Sequence, residues 1–201
     1  REVNARVKSR VARDREQTAG LLRHAAAHVC NSDNFEVARF LGAFAPTWSV
    51  HCSVDETIQL LVCLRRMQSS TDPQLCLESS KAIKSILVTC ANLLGPYSGL
   101  QECLRGLIDT TLSSDDEEAM SLVAEGCARL AVQHQVRLLD DVVHPVLLRA
   151  EEALKMLPIA GDVLSEQGAL ALQALGRYLH VLQVILRFCD APTNDGSPHP
   201  A

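Results

Sequence analysis

Residues 71–94, TDPQLCLESSKAIKSILVTCANLL, carry the reading that decides the fold class. Asp72 followed by Pro73 is a helix-start signal: a side-chain acceptor for the free backbone N–H groups, then a residue whose missing N–H costs nothing at the first helical position. Leu75, Ala82, Ile83, Ile86, Leu87, Leu93 and Leu94 lie at spacings that gather on one side of a helix, and Gly95-Pro96 ends it.

The same grammar extends in both directions. Upstream, Ser53-x-x-Glu56 opens a helix through Ile58, Leu61, Val62 and Leu64 that ends at the loop Ser69-Ser70-Thr71. Before it, Asp33-x-x-Glu36 predicts a short helix through Val37, Phe40, Leu41 and Phe44, stopped by Pro46. A basic helix from about Glu2 to Val29 precedes both. Downstream, Ser98-x-x-Gln101 starts a helix through Leu104, Leu107 and Ile108, and Ser114-x-x-Glu117 starts the next. Its opening run Asp115, Asp116, Glu117 and Glu118 is favourable beside a helix N-terminus and reads as a cap rather than a metal site. Val136 to Leu157 is helical in pattern, with a kink expected near 141–144 from Pro145. Pro158 and Gly161 break the chain, and a last helix from Val163 to Cys189 carries Leu175, Leu179, Leu182, Ile185 and Leu186. Residues 190–201, DAPTNDGSPHPA, read as a disordered tail.

Composition supports this all-α assignment. Leu and Ala, both strong helix formers, make up about a quarter of the 201 residues, and aromatic residues only 3%. An all-β sandwich or barrel is excluded. No apolar run is read as long enough to span a bilayer, and no secretory signal opens the chain. Residues 1–23 hold seven basic groups against three acidic ones, a balance of +4, while the remainder carries 12 against 21, a balance of −9. That asymmetry describes a basic arm on an acidic body. The opening on Arg1, within a helical pattern, reads as a segment of a longer protein.

Eight cysteines, at 30, 52, 63, 76, 90, 103, 127 and 189, contain no C-x-x-C pair and mostly lie on apolar stripes. They are expected to be free, buried thiols in a reducing compartment, cytoplasm or nucleus.

Three stretches align when the capped helices are laid over one another: 32–45 (SDNFEVARFLGAFA), 71–94 and 114–131 (SDDEEAMSLVAEGCARLA). Asp33, Asp72 and Asp115 lie 39 and 43 residues apart, with partner helices at 54–68 and 99–111 between them. A period near 40 containing a helix pair is that of HEAT and armadillo arrays. SILVTCANLL (85–94) and EGCARLA (125–131) resemble the inner helix of such repeats, and the likeness extends over roughly residues 31–157. It implies an armadillo/HEAT-like stack of antiparallel helix pairs, about eight helices in all, formed by residues 31–189 behind a basic helix at 1–30. It also implies a peptide-binding role for Asn92. The stretch Asp33 to Leu94, with Val37, Leu41, Trp48, Cys52, Leu60-Leu61 and the SSTDP turn, is similar in spacing to the helical C-terminal domain of the katanin regulatory subunit. That likeness implies docking to a helix of a microtubule-severing enzyme.

Catalytic signatures are missing from the sequence: it has no G-x-S-x-G elbow, no Walker loop and no G-x-G-x-x-G. Asp140, Asp141 and His144 are the nearest approach to an acid/base cluster and read as a solvated face. His24 and His28 share a helix face near Cys30, His51 and Cys52, but the residues between them are alanines rather than the H-E-x-x-H pattern. Neither enzyme activity nor a cofactor nor a bound metal is expected.

The remaining class is a non-catalytic interaction module, a scaffold or adaptor that binds a partner helix or extended peptide. Its expected groove residues are the polar positions of successive inner helices: Arg39, Glu78, Lys81, Lys84, Asn92, Glu125 and Arg129. A second contact surface is expected on the basic helix, where Val3, Val7 and Val11 form a narrow apolar seam flanked by Arg6, Arg10 and Arg13. Without interleaved aromatics, that helix favours protein docking over nucleic acid, which stays as the alternative. Assembly through the long terminal helices is the further alternative; a membrane partner is not expected.

Overall fold

The computed structural model describes residues 2–134, 136–157 and 166–189, with side chains for 13–134, 140–157 and 166–188. Among these residues every regular element is a helix: α1 Glu2–Asn31, α2 Phe35–Ala43, α3 Ala45–His51, α4 Val54–Gln68, α5 Pro73–Thr89, α6 Ala91–Leu94, α7 Leu100–Leu112, α8 Glu117–His134, α9 Val136–Lys155 and α10 Glu166–Cys189. Eight are nine residues or longer; α3 and α6, seven and four residues long, are additions to the expected eight.

Local chemistry explains most boundaries. At α4, Ser53 Oγ accepts from the Glu56 backbone N–H at 3.2 Å while the Ser53 N–H donates to Glu56 Oε2 at 2.7 Å, a complete capping box. Asp72 Oδ1 accepts from Gln74 N–H at 3.0 Å, with Pro73 opening α5. Two caps lie downstream of the expected residue. Asn34, not Asp33, caps α2 through its Oδ1, accepting from Glu36 N–H at 2.9 Å. Asp116, not Ser114, accepts from Ala119 N–H at 3.0 Å at the start of α8. Ser98 does not cap α7, whose preceding residue is Gly99. Pro46 does not end a helical region either: it lies in the first turn of α3, where its missing N–H is harmless. α9 runs on through Pro145. The expected breaks at Pro158 and Gly161, the start of the last helix at Val163 and the tail 190–201 lie outside the described residues.

Adjacency follows the chain at intervals near 40. In one row α5 packs between α2 and α8, and α8 packs also on α10; in the other, α4 packs between α1 and α7, and α7 on α9. The rows meet where α4 lies against α5, α7 against α8 and α9 against α10. Among the described residues an apolar core runs between them, from Leu22 and Val29 of α1 through Leu61, Ile83, Leu87, Leu104, Ile108, Val123 and Cys127 to Val181 and Ile185 of α10. Small residues set the closest approaches. The Cβ position of Gly42 lies 3.0 Å from Ala82 Cα, and that of Gly126 lies 3.0 Å from Lys84 Cα.

Cysteine chemistry departs from expectation at one place. Cys30 and Cys63 form a disulfide between α1 and α4. Pairing of these two removes the premise of uniformly free thiols on which the reducing compartment was inferred. Cys52, Cys76, Cys90, Cys103 and Cys127 are free.

α10 also departs from expectation. Glu166–Phe188 is 23 residues long, with mean hydropathy 1.4 and only 17% of its most apolar window buried, so by length and composition it suffices to cross a membrane. Widely spaced polar residues hide this in the sequence, because no uninterrupted apolar run is present.

Candidate functional site

The polar positions expected to form a groove are brought together on the surface of the α2–α5–α8 row as two linked ion clusters. In the first, Glu78 of α5 accepts from Arg39 Nε of α2 and from Lys81 Nζ of its own helix, both at 3.0 Å. In the second, Glu125 of α8 accepts from Lys84 Nζ of α5 at 2.7 Å and from Arg129 at 2.9 Å. Their architecture is the same: one carboxylate, one cation from the neighbouring helix, and one cation a single turn along the same helix.

Depth separates the two signs of charge. The Glu78 and Glu125 side chains are 8% and 16% exposed, whereas Arg39, Lys81, Lys84 and Arg129 are 57%, 45%, 30% and 48% exposed. Glu78 was expected on the open face and instead lies beneath it. Its carboxyl is held below the ordinary range first by the Arg39 hydrogen bond, with burial opposing and Lys81 assisting. The ion-paired members of each cluster sum to one surplus positive charge on the outer side, with exposed Glu36 acting on Arg39 at the edge of the first.

Beside the clusters lies a cavity of about 360 Å³ lined by Lys81, Lys84, Ser85, Val88, Leu122 and Arg129 among others. Val88 and Leu122 give it an apolar component. Arg129 additionally stacks over the Phe188 ring of α10 at 4.7 Å, which fixes one wall of the face. Asn92 is exposed at the end of the row, where its Oδ1 accepts from Gln133 Nε2 at 3.3 Å.

A larger cleft of about 610 Å³ lies among the helix-start loops, between Gln68–Pro73 and Thr110–Asp116. Its polar groups are largely committed to structure: Asp72 and Asp116 cap helices, Gln68 Nε2 donates to Thr111 Oγ1, and Asp115 accepts from Arg177. Asp141, from the sequence's nearest acid/base cluster, is buried and paired with Arg105, while Asp140 and His144 are exposed. His28 Nδ1 lies 2.6 Å from Ser32 Oγ, and Cys30 is in its disulfide. Burial pushes the Cys52, Cys90 and Cys103 thiols up to about 11 and raises Cys127 as well, so these thiols are protonated at neutral pH.

On the basic helix, Val3, Arg6, Val7, Arg10 and Val11 lie outside the described side chains, and Arg13 is exposed. Further along α1, Arg23 is engaged with Glu56 at 2.5 Å. The sequence names α10 as an assembly candidate, with Leu175, Leu179, Leu182 and Leu186 among its apolar residues, but not which of its leucines stay exposed. Leu172, Leu179 and Leu186 are 52%, 54% and 54% exposed, and Leu175 and Leu182 between them are half-buried. The alternating three- and four-residue spacing was legible; which side of the helix stayed open was not. No family model, curated protein or solved structure matches the chain.

Proposed function

We propose that the protein is a non-catalytic interaction module, built as an armadillo/HEAT-like stack of helix pairs, whose α2–α5–α8 face receives an extended segment of a partner protein. The observation carrying this reading is the pair of ion clusters, centred 47 residues apart along the chain at Glu78 and Glu125, that repeat one arrangement on successive helices beside a partly apolar cavity. Recurrence on neighbouring helices suits a ligand that runs across them. Filling the cavity with Ser85→Trp tests the site, since Ser85 lines it and is only half-buried. In affinity purification with mass spectrometry, proteins retained by the wild type are expected to be lost from this variant at unchanged melting temperature; equal retention defeats the assignment.

A second reading is favoured by the open leucine row of α10. Its heptad spacing suits a helix-to-helix contact, as in a regulatory subunit of the katanin type docking through its long helices. Leu172→Gln with Leu179→Gln and Leu186→Gln then abolishes the complex while Ser85→Trp leaves it intact. The nucleic-acid alternative is separated from both by a gel shift at rising salt with residues 1–12 present or removed.

A further inference from the structure

In both ion clusters cations outnumber carboxylates, and that imbalance identifies the ligand's chemistry. Four cations, Arg39, Lys81, Lys84 and Arg129, share two carboxylates, Glu78 and Glu125. Because the carboxylates are sunk and the cations stand out, an approaching molecule meets a cationic face on a chain of net charge −5.

The geometry points to an acidic peptide segment of a protein partner, bound so that its carboxylates complete each two-cation cluster and an apolar side chain enters the cavity beside Val88 and Leu122. This rests on the interaction-module reading and specifies the partner's chemistry. Packed helices lie about 8–10 Å apart, and Lys84 stands six residues, about 9 Å, along α5 from Glu78, so cluster-to-cluster travel is about 12–13 Å, or about four residues of extended chain at about 3.3 Å each. The matching pattern is therefore acidic residues four apart with an apolar residue between. A ligand carboxylate also has guanidinium donors to meet in both clusters, Arg39 in the first and Arg129 in the second.

The test uses the full chain and a fluorescein-labelled peptide of repeated Glu-Ser-Leu-Ser quartets, with a Gln-Ser-Leu-Ser peptide and a single-stranded thymidine oligonucleotide as comparisons. Fluorescence anisotropy is expected to show binding of the Glu peptide that weakens with salt and falls about tenfold in Lys81→Gln/Arg129→Gln, both substituted groups being exposed. Leu122→Glu, which adds a carboxylate at the half-buried cavity wall, is expected to weaken it similarly. Thermal melts of both variants accompany the titrations. Equal affinity for Glu and Gln peptides, no binding of either, unchanged affinity in folded variants, or preferred binding of the oligonucleotide overturns the proposal. If the Glu and Gln peptides bind alike while Ser85→Trp still abolishes partner retention, the acidic preference falls and the interaction-module reading stands. If Ser85→Trp changes nothing, both fall.

Discussion

Arg39 of α2 donates from Nε to Glu78 Oε2 of α5 at 3.0 Å, joining positions 39 residues apart. The same interval recurs between Lys84 and Glu125, 41 apart, and between Asn92 and Gln133, also 41 apart. Thus these polar contacts within the α2–α5–α8 row follow the period of the capping signals, while those of α1 with α4 and of α8 with α10 do not.

This geometry sets an acid-sensitive element of stability. Glu78 is held below its ordinary range chiefly by the Arg39 hydrogen bond, and Glu56 chiefly by the Ser53 backbone N–H. A depressed carboxyl binds its proton less readily folded than unfolded, so its contribution is present above about pH 4.3 and is lost as pH falls through the lower folded value. Melting temperature is expected to be steady from pH 7 to 5 and to decline below about pH 4. Glu78→Gln should melt a few degrees lower at neutral pH and show a shallower acid decline; an acid limb as steep as the wild type's contradicts the role given to Glu78.

The Cys30–Cys63 disulfide closes a loop of 33 residues between α1 and α4. Restricting the unfolded chain by a loop of that length stabilises by about 3–4 kcal/mol in the chain-entropy description. Reduction, or Cys63→Ser, is expected to lower the unfolding free energy by an amount near this in chemical denaturation. A Cys30–Cys63 peptide in a non-reducing digest checks the bond itself.

Open and tightly packed glycines should respond in opposite directions. Gly20 in α1 and Gly176 in α10 have nothing within 4 Å of a built Cβ, so alanine there brings only helix propensity. Gly20→Ala and Gly176→Ala are each expected to stabilise by about 0.5–1 kcal/mol. Gly126 faces Lys84 Cα at 3.0 Å and Leu87 Cδ1 at 3.2 Å, so Gly126→Val must force α8 from α5. A loss of about 1–3 kcal/mol is expected. Calorimetric melts of the three variants decide.

Trp48, the chain's single tryptophan, is buried, and its indole N–H donates to Thr57 Oγ1 at 2.9 Å. Its fluorescence should be blue-shifted when folded and move red on unfolding. Thr57→Val keeps the shape but strands the indole donor, at an expected cost of about 1–3 kcal/mol by denaturant titration. A neutral Thr57→Val places another acceptor at the ring nitrogen.

Much of the helical grammar was legible because caps act locally. Ser53 with Glu56, and Asp72 with Pro73, determine their helix starts within four residues of chain. Adjacent candidates defeated the same logic. Asp33-Asn34 and Asp115-Asp116 each offer two acceptors, and the first of each pair is drawn to a distant arginine: Asp33 to Arg66, and Asp115 to Arg177. The groove residues were readable as polar positions of inner helices, but Glu78's burial depends on α2 lying over it.

By itself, the sequence determined the all-helical class of the described residues, helix starts such as those at Ser53 and Asp72, and a near-40-residue interval between capping signals, since composition, capping and periodicity act over one or two turns. Tertiary structure alone decided that Cys30 meets Cys63, that Glu78 and Glu125 sink while four cations remain outside, and that one leucine row of α10 stays open. Those outcomes depend on which helix faces come together, a balance of packing across the whole core that no local stretch contains.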